Sequence, residues 1–164
     1  MASQRPSALV VCLGNICRSP MGGAVLSHVA KERGIDMVVD SAGTAAYHVG
    51  EEPDDRTVAT CRKYEVHIDH QARQVTTEDF RIFTHILASD EANLRNLQRM
   101  RPRNATAEVR LFGSYDDNRQ IGDPYYGGLR GFEECYRQCV RYSNAFLDEV
   151  VGKTLVESSD TANL

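Results

Sequence analysis

Short apolar runs alternate along the chain with stretches of helical period. Ala8 to Leu13 (ALVVCL) is a valine-containing apolar run, the pattern of a central strand buried on both faces. A glycine follows, then Ser19-Pro20, an N-cap residue with proline at the first helical position. Met21, Val25 and Val29 then recur every four residues and predict a helix that stops near Gly34. Ile35 to Asp40 reads as a second strand, Pro53 to Tyr64 as a helix with Val58 and Cys61 inward, and residues 84–88 as a third strand. Asp90 can cap a helix carrying Leu94 and Leu97, and Glu108 to Phe112 forms a fourth strand. Residues 113–128, rich in Gly, Asp and Asn, read as a long loop, which in a compact domain is usually functional. The clearest helix is the last, where Phe132, Tyr136, Cys139, Val140, Ser143, Phe146, Leu147 and Val150 keep a 3.6-residue period. Residues 154–164 form a polar tail.

Strands alternating with helices imply parallel pairing through right-handed crossovers, hence a layered α/β sandwich. In such sheets ligands sit beyond the carboxyl ends of the strands, where strand order reverses. The loop after Leu13 lies there if the first strand is central.

The length, 164 residues, suits one domain with a core of about 8–151. A net charge of -4, with 26% charged residues, leaves no basic field to gather nucleic acid or anionic lipid, so an anionic ligand must be held by local geometry. The longest apolar run near the N-terminus falls far short of the roughly 18 residues of a membrane span. A soluble, cytoplasmic protein is expected, without membrane or nucleic-acid partners. Cys12, Cys17, Cys61, Cys135 and Cys139 are odd in number and irregularly spaced, which favours reduced thiols over a disulfide framework.

Chemistry concentrates in residues 10–20, VVCLGNICRSP. Cysteine, five residues, arginine is weak by itself: the chain's cysteines and arginines would give about half a match by chance, and Cys135 to Arg141 is such a match inside a helix. At Cys12 to Arg18 the context differs. A strand delivers Cys12, Gly14 permits a tight turn, Asn15 suits a positive φ, and a helix starts just after Arg18. The backbone N–H groups of residues 13–18 can then converge on one concavity with a helix N-terminus behind them, a cradle for a tetrahedral oxyanion. Arg18 can close it with two parallel hydrogen bonds to phosphate oxygens, and the same field favours ionisation of Cys12 to a nucleophilic thiolate. No Cys-x2-Cys or His-x3-His spacing accompanies these cysteines, and no Gly-Lys-Ser/Thr ending follows, which argues against a metal site or a nucleotide loop.

CLGNICRSP resembles the active-site loop of low-molecular-weight protein tyrosine phosphatases. SAGT near residue 41, VHIDHQARQ at 66–74, TTEDF at 76–80, DEANL at 90–94, LFGSYD at 111–116 and DPYYG at 123–127 resemble that family in the same order, over roughly residues 8–150. The resemblance implies a three-layer sandwich with a central four-stranded parallel sheet, flavodoxin-like topology and a phosphate-binding loop after the first strand. It implies hydrolysis of phosphotyrosine and small aryl phosphates through a cysteinyl-phosphate, with Cys12 as nucleophile, Arg18 as phosphate clamp and Asp123 as general acid and then base. Leu13, Gly14, Asn15, Ile16 and Cys17 would hold the phosphate, and Tyr47, Tyr125 and Tyr126 the flat ring. Asn15, Ser19, Ser41 and His70 would support the loop, while the other histidines, His48 among them, take surface or packing roles. No cofactor or metal is implied. Expected partners are tyrosine-phosphorylated proteins as substrates and inorganic phosphate as product and competitive inhibitor, with a monomer or weak self-association.

The resemblance also implies a reversible Cys12–Cys17 disulfide under peroxide. Ile16 favours the tyrosine-phosphatase branch, since the family's arginine phosphatases resemble it with a smaller polar residue there. Met21-Gly22-Gly23 departs from the acidic residue many eukaryotic members carry after the loop, and two glycines weaken a helical turn by roughly 1 kcal/mol each. Two other readings stay open. A thiol-dependent arsenate reductase needs further relay cysteines, and none lies between Cys61 and Cys135. A non-catalytic phosphotyrosine-binding module would ordinarily have lost Cys12, Arg18 or Asp123.

Overall fold

Ala8, Leu9, Val10 and Val11 are completely buried in the first strand, β1 (Ser7–Cys12), and the two-residue period of a strand sends them to opposite faces of the sheet. In the computed structural model, which describes residues 5–152, β1 pairs in parallel with β2 (Val38–Gly43) on one side and β3 (His85–Ala88) on the other. β4 (Glu108–Leu111) completes a four-stranded parallel sheet in the order β2-β1-β3-β4.

On one face Ala8 and Val10 pack with Met21, Val25 and Leu26 of α1 (Arg18–Glu32), Cys61 of α2 (Asp55–Lys63), and Phe132, Cys139 and Phe146 of α5 (Gly128–Leu147). On the other Leu9 and Val11 pack with Phe80 of the short α3 (Asp79–Ile82), Phe83, and Leu97 of α4 (Glu91–Met100). Two helical layers therefore sandwich the sheet, as the sequence pattern implied. Strand order reverses beside β1, so the crevice beyond its carboxyl end is where a ligand belongs.

Several boundaries differ from the sequence expectation for physical reasons. β2 runs three residues later than Ile35–Asp40, because pairing Val10 with Ser41 and Cys12 with Gly43 draws Ser41, Ala42 and Gly43 into the sheet. α1 begins at Arg18 with Cys17 as its N-cap, not with Ser19 capping and Pro20 first. Ser19 is fully buried and its hydroxyl is turned to Cys12 and Asn15. In α2, Thr57 is buried where Val58 was expected, and its hydroxyl donates to the Cys17 carbonyl at 3.4 Å. In α5 the buried stripe includes Cys135 and Tyr142, whereas Tyr136 and Val140 pack only at its edge.

Residues 113–128 are more ordered than a plain loop. Turns of 3-10 helix occupy Phe112–Tyr115 and Pro124–Tyr126, and buried Ile121 pins the middle by donating its N–H to the Ser89 carbonyl at 2.7 Å. The polar tail expected at 154–164 lies outside the described residues.

Candidate active site

β1 ends on Cys12, and the chain turns at Asn15 with φ of 59°, the left-handed conformation that asparagine tolerates better than most residues. The turn aims the Asn15 N–H at the Cys12 sulfur, 3.2 Å away. Ser19 Oγ lies 2.9 Å from the same sulfur on the other side. Asn15 Nδ2 donates to Ser19 Oγ at 2.7 Å, which leaves the serine proton free to point at Cys12; the competing Ala42 carbonyl is farther, at 3.4 Å. Both contacts stabilise negative charge on sulfur.

A network behind the loop fixes Asn15 in turn. Its Oδ1 accepts from the Arg73 N–H at 3.0 Å and contacts His70 Nε2 at 2.7 Å, while its Nδ2 donates to Ser41 Oγ at 3.0 Å. Because the backbone donor marks Oδ1 as the acceptor, the short contact places a proton on His70 Nε2. Burial disfavours the charged imidazole, and Asp40, with Oδ1 3.7 Å from Nδ1, pulls the other way.

Arg18, 4% exposed, lies under the mouth of the loop. Its Nη1 donates to Asp90 Oδ2 at 2.6 Å and to the Ile121 carbonyl at 3.1 Å, and its Nη2 stands 3.9 Å from Asp123 Oδ2. Burial works against the charge, but Asp90, Cys12 and Asp123 together hold the guanidinium ionised. Asp123 is 43% exposed and caps the short turn that follows it, accepting from the Tyr125 N–H at 3.0 Å.

Cys12, Arg18 and Asp123 line one cavity of about 310 Å³ together with Leu13, Gly14, Ile16, Cys17, Tyr47, His48 and Tyr125. Tyr47 and Tyr125 stand exposed at its entrance. Burial first, and then the negative charge of Asp54, pushes the Cys17 thiol up to about 12, so Cys17 stays protonated.

The structure thus brings Cys12, Leu13, Gly14, Ile16, Cys17, Arg18, Tyr47, Asp123 and Tyr125 to one place, and Ser19, Ser41 and His70 behind it. The side chain of Asn15 lies in this rear network with Ser41 and His70, while its backbone N–H points at the Cys12 sulfur. The side chain of Tyr126 lies outside the described residues. Two participants escaped sequence reasoning. Asp90 was expected only to cap α4, and it does so by accepting from the Asn93 N–H with one oxygen while the other holds Arg18. His48, given a surface or packing role, lines the cavity, with its ring against Gly14 and paired to Glu51. Among the described residues no group of three or more His, Cys, Asp or Glu is arranged to hold a metal ion.

The family model of low molecular weight phosphotyrosine protein phosphatase matches residues 7–156. The chain belongs to this family. A low molecular weight phosphotyrosine protein phosphatase of Schizosaccharomyces pombe is 45% identical over 148 residues, covering 87% of this chain and 95% of the relative. The crystal structure of Primo-1 superposes with a TM-score of 0.86 at 38% identity, covering 89% of this chain and 99% of the other. A drosophila arginine phosphatase superposes with a TM-score of 0.83 at 34% identity, covering 88% and 97%. Family membership accounts for the four-stranded parallel sheet and for the loop that follows its first strand.

Proposed function

We propose that this phosphatase hydrolyses phosphotyrosine in proteins, and small aryl phosphates, through a cysteinyl-phosphate. The observation that carries the reading is the convergence in one cavity of a sulfur flanked by an N–H and a hydroxyl, a buried guanidinium, and a carboxyl group within 3.9 Å of that guanidinium. Cys12 Sγ attacks phosphorus and the P–O ester bond breaks as Asp123 gives its proton to the departing phenolic oxygen. The ionised Asp123 then takes a proton from water, whose oxygen displaces sulfur and frees inorganic phosphate. Arg18 spans two phosphate oxygens throughout, and the Ser19 hydroxyl stabilises the sulfur when it leaves.

Tyr47 and Tyr125 flank the ring, and apolar Ile16 in the cradle suits phosphotyrosine better than a charged guanidinium phosphate. The arsenate-reductase alternative is disfavoured because Cys61, Cys135 and Cys139 are at most 1% exposed and lie in the core, away from the cavity. Substrate proteins, product inhibition by phosphate, a cytoplasmic location, a single phosphatase domain and weak or no self-association complete the proposal. Peroxide would convert the Cys12 thiolate to a sulfenic acid, which the Cys17 thiol condenses with to give a disulfide and water; peptide mapping after peroxide should find that pair, and Cys12 joined elsewhere would refute it.

Hydrolysis of an aryl phosphate in EDTA tests the mechanism. Activity should persist in the chelator, vanish in Cys12→Ser, and fall about 10²- to 10⁴-fold in Asp123→Ala when the leaving group needs protonation. Undiminished activity in Cys12→Ser would sink the mechanism.

A further inference from the structure

Arg56, in the first turn of α2, is absent from the lining of the cavity, yet it spans two parts of the site. Its Nε and Nη2 clasp the two carboxylate oxygens of Asp54, each at 3.0 Å. Its Nη1 donates to the Tyr125 carbonyl at 3.1 Å, and its guanidinium carbon lies 5.2 Å from the Tyr125 ring centroid and 4.6 Å from that of Phe132. Asp54 is anchored to the cradle, because its N–H donates to the Ile16 carbonyl at 2.8 Å. Tyr125 is anchored to the acid, because its N–H donates to Asp123 Oδ1 at 3.0 Å. A continuous chain of contacts therefore runs from the phosphate cradle through Asp54, Arg56 and Tyr125 to Asp123. The acid needs such support: it is 43% exposed, and Gly122 and Gly127, which carry no side chain to pack, flank its turn.

We infer that Arg56 is a positioning residue for proton transfer, transmitting the geometry of the cradle to the acid turn so that Asp123 stands at the leaving oxygen. The inference rests on the reading of Asp123 as general acid. Arg56 does not act as a free positive charge, since Asp54 neutralises it through a bidentate pair. Its planar fork is what counts: it engages a carboxylate, a carbonyl and two ring faces in fixed directions, which an ammonium group cannot reproduce. Small displacements of a reacting group carry large penalties, a misplacement of about 1 Å reaching about 100-fold.

The test is the dependence of kcat/KM on the acidity of the leaving phenol, from 4-nitrophenyl to phenyl phosphate, in the wild type, Asp123→Ala, Arg56→Ala and Arg56→Lys. The wild type should show a shallow dependence and Asp123→Ala a steep one, as loss of a general acid requires. Arg56→Ala should fall between them, losing about 3-fold with the nitrophenyl ester and about 30-fold with the phenyl ester, a loss that grows as protonation matters more. Arg56→Lys should steepen the dependence similarly, and inorganic phosphate should inhibit all Arg56 variants as well as it does the wild type. A uniform loss across the series, a several-fold weaker phosphate inhibition, or full rescue by lysine would each overturn the positioning role while leaving the acid assignment intact. Equal slopes in wild type and Asp123→Ala would instead remove the acid assignment, and this inference with it. If circular dichroism shows Arg56→Ala unfolded, Arg56→Lys carries the test.

Discussion

Cys12, the proposed nucleophile, and Cys17 sit five positions apart in one loop, in different surroundings. Cys12 receives the Asn15 N–H and faces the Ser19 hydroxyl, whereas burial and Asp54 push the Cys17 thiol up to about 12. Thiolates alkylate and thiols do not. Iodoacetate at neutral pH should therefore label Cys12 and spare Cys17, as read by peptide mass spectrometry; earlier labelling of Cys17 would contradict the assignment. Asp90 is a second test at this scale. It holds the nearly buried Arg18 through a charge-assisted contact of 2.6 Å, of a kind worth about 1.5–3 kcal/mol. Asp90→Asn should weaken phosphate binding by roughly 10- to 100-fold, measured as the inhibition constant, with folding retained because an asparagine still caps α4. Cys12 and Arg18 were legible in the sequence because a spacing, a glycine and a helix start coincide there. Asp90 was not, since a capping aspartate looks the same whether or not its second oxygen holds an arginine.

At the scale of elements, α1 shows what helix propensity misses. Both glycines after Met21 look unfavourable inside a helix, but their surroundings differ. A Cβ on Gly22 would lie 2.9 Å from Val10 Cγ1, a stiff, buried side chain of β1, whereas one on Gly23 would meet Ser41 Cβ at an ordinary 3.5 Å. Gly22→Ala should destabilise, because overpacking of about 1–3 kcal/mol outweighs a propensity gain of about 1 kcal/mol. Gly23→Ala should keep most of that gain and stabilise. Opposite shifts in the urea midpoint are the expected result, and equal shifts would show that α1 does not pack so tightly on β1. The strands, and the helices α2, α4 and α5, were readable from apolar period and caps. The three-residue shift of β2 and the late entry of Pro20 into α1 were not, since the first depends on register with β1 and the second on Ser19 turning its hydroxyl to the site.

For the whole molecule, both helical layers grip a common sheet, so unfolding should be a single cooperative transition. A ligand that binds only the folded state raises its stability, by about 2.7 kcal/mol at a hundred times Kd, or roughly 5–10 °C for a chain of this size. Inorganic phosphate should produce this shift in the wild type and in Cys12→Ser, which keeps the cradle, but not in Arg18→Ala. A shift that survives loss of Arg18 would place phosphate somewhere else.

The sequence by itself determined the sandwich and the loop, because both rest on local rules: apolar period, strand-to-helix turns, and the tolerance of Asn15 for a positive φ. It also marked Asp123, through the family resemblance of its segment. Only the tertiary structure decided which polar groups meet. Arg18 finds Asp90 72 positions away, Asn15 finds His70 55 away, and Arg56 finds Tyr125 69 away. Such pairs leave no periodic signal in the chain, because parallel crossovers, not neighbouring positions, bring them together.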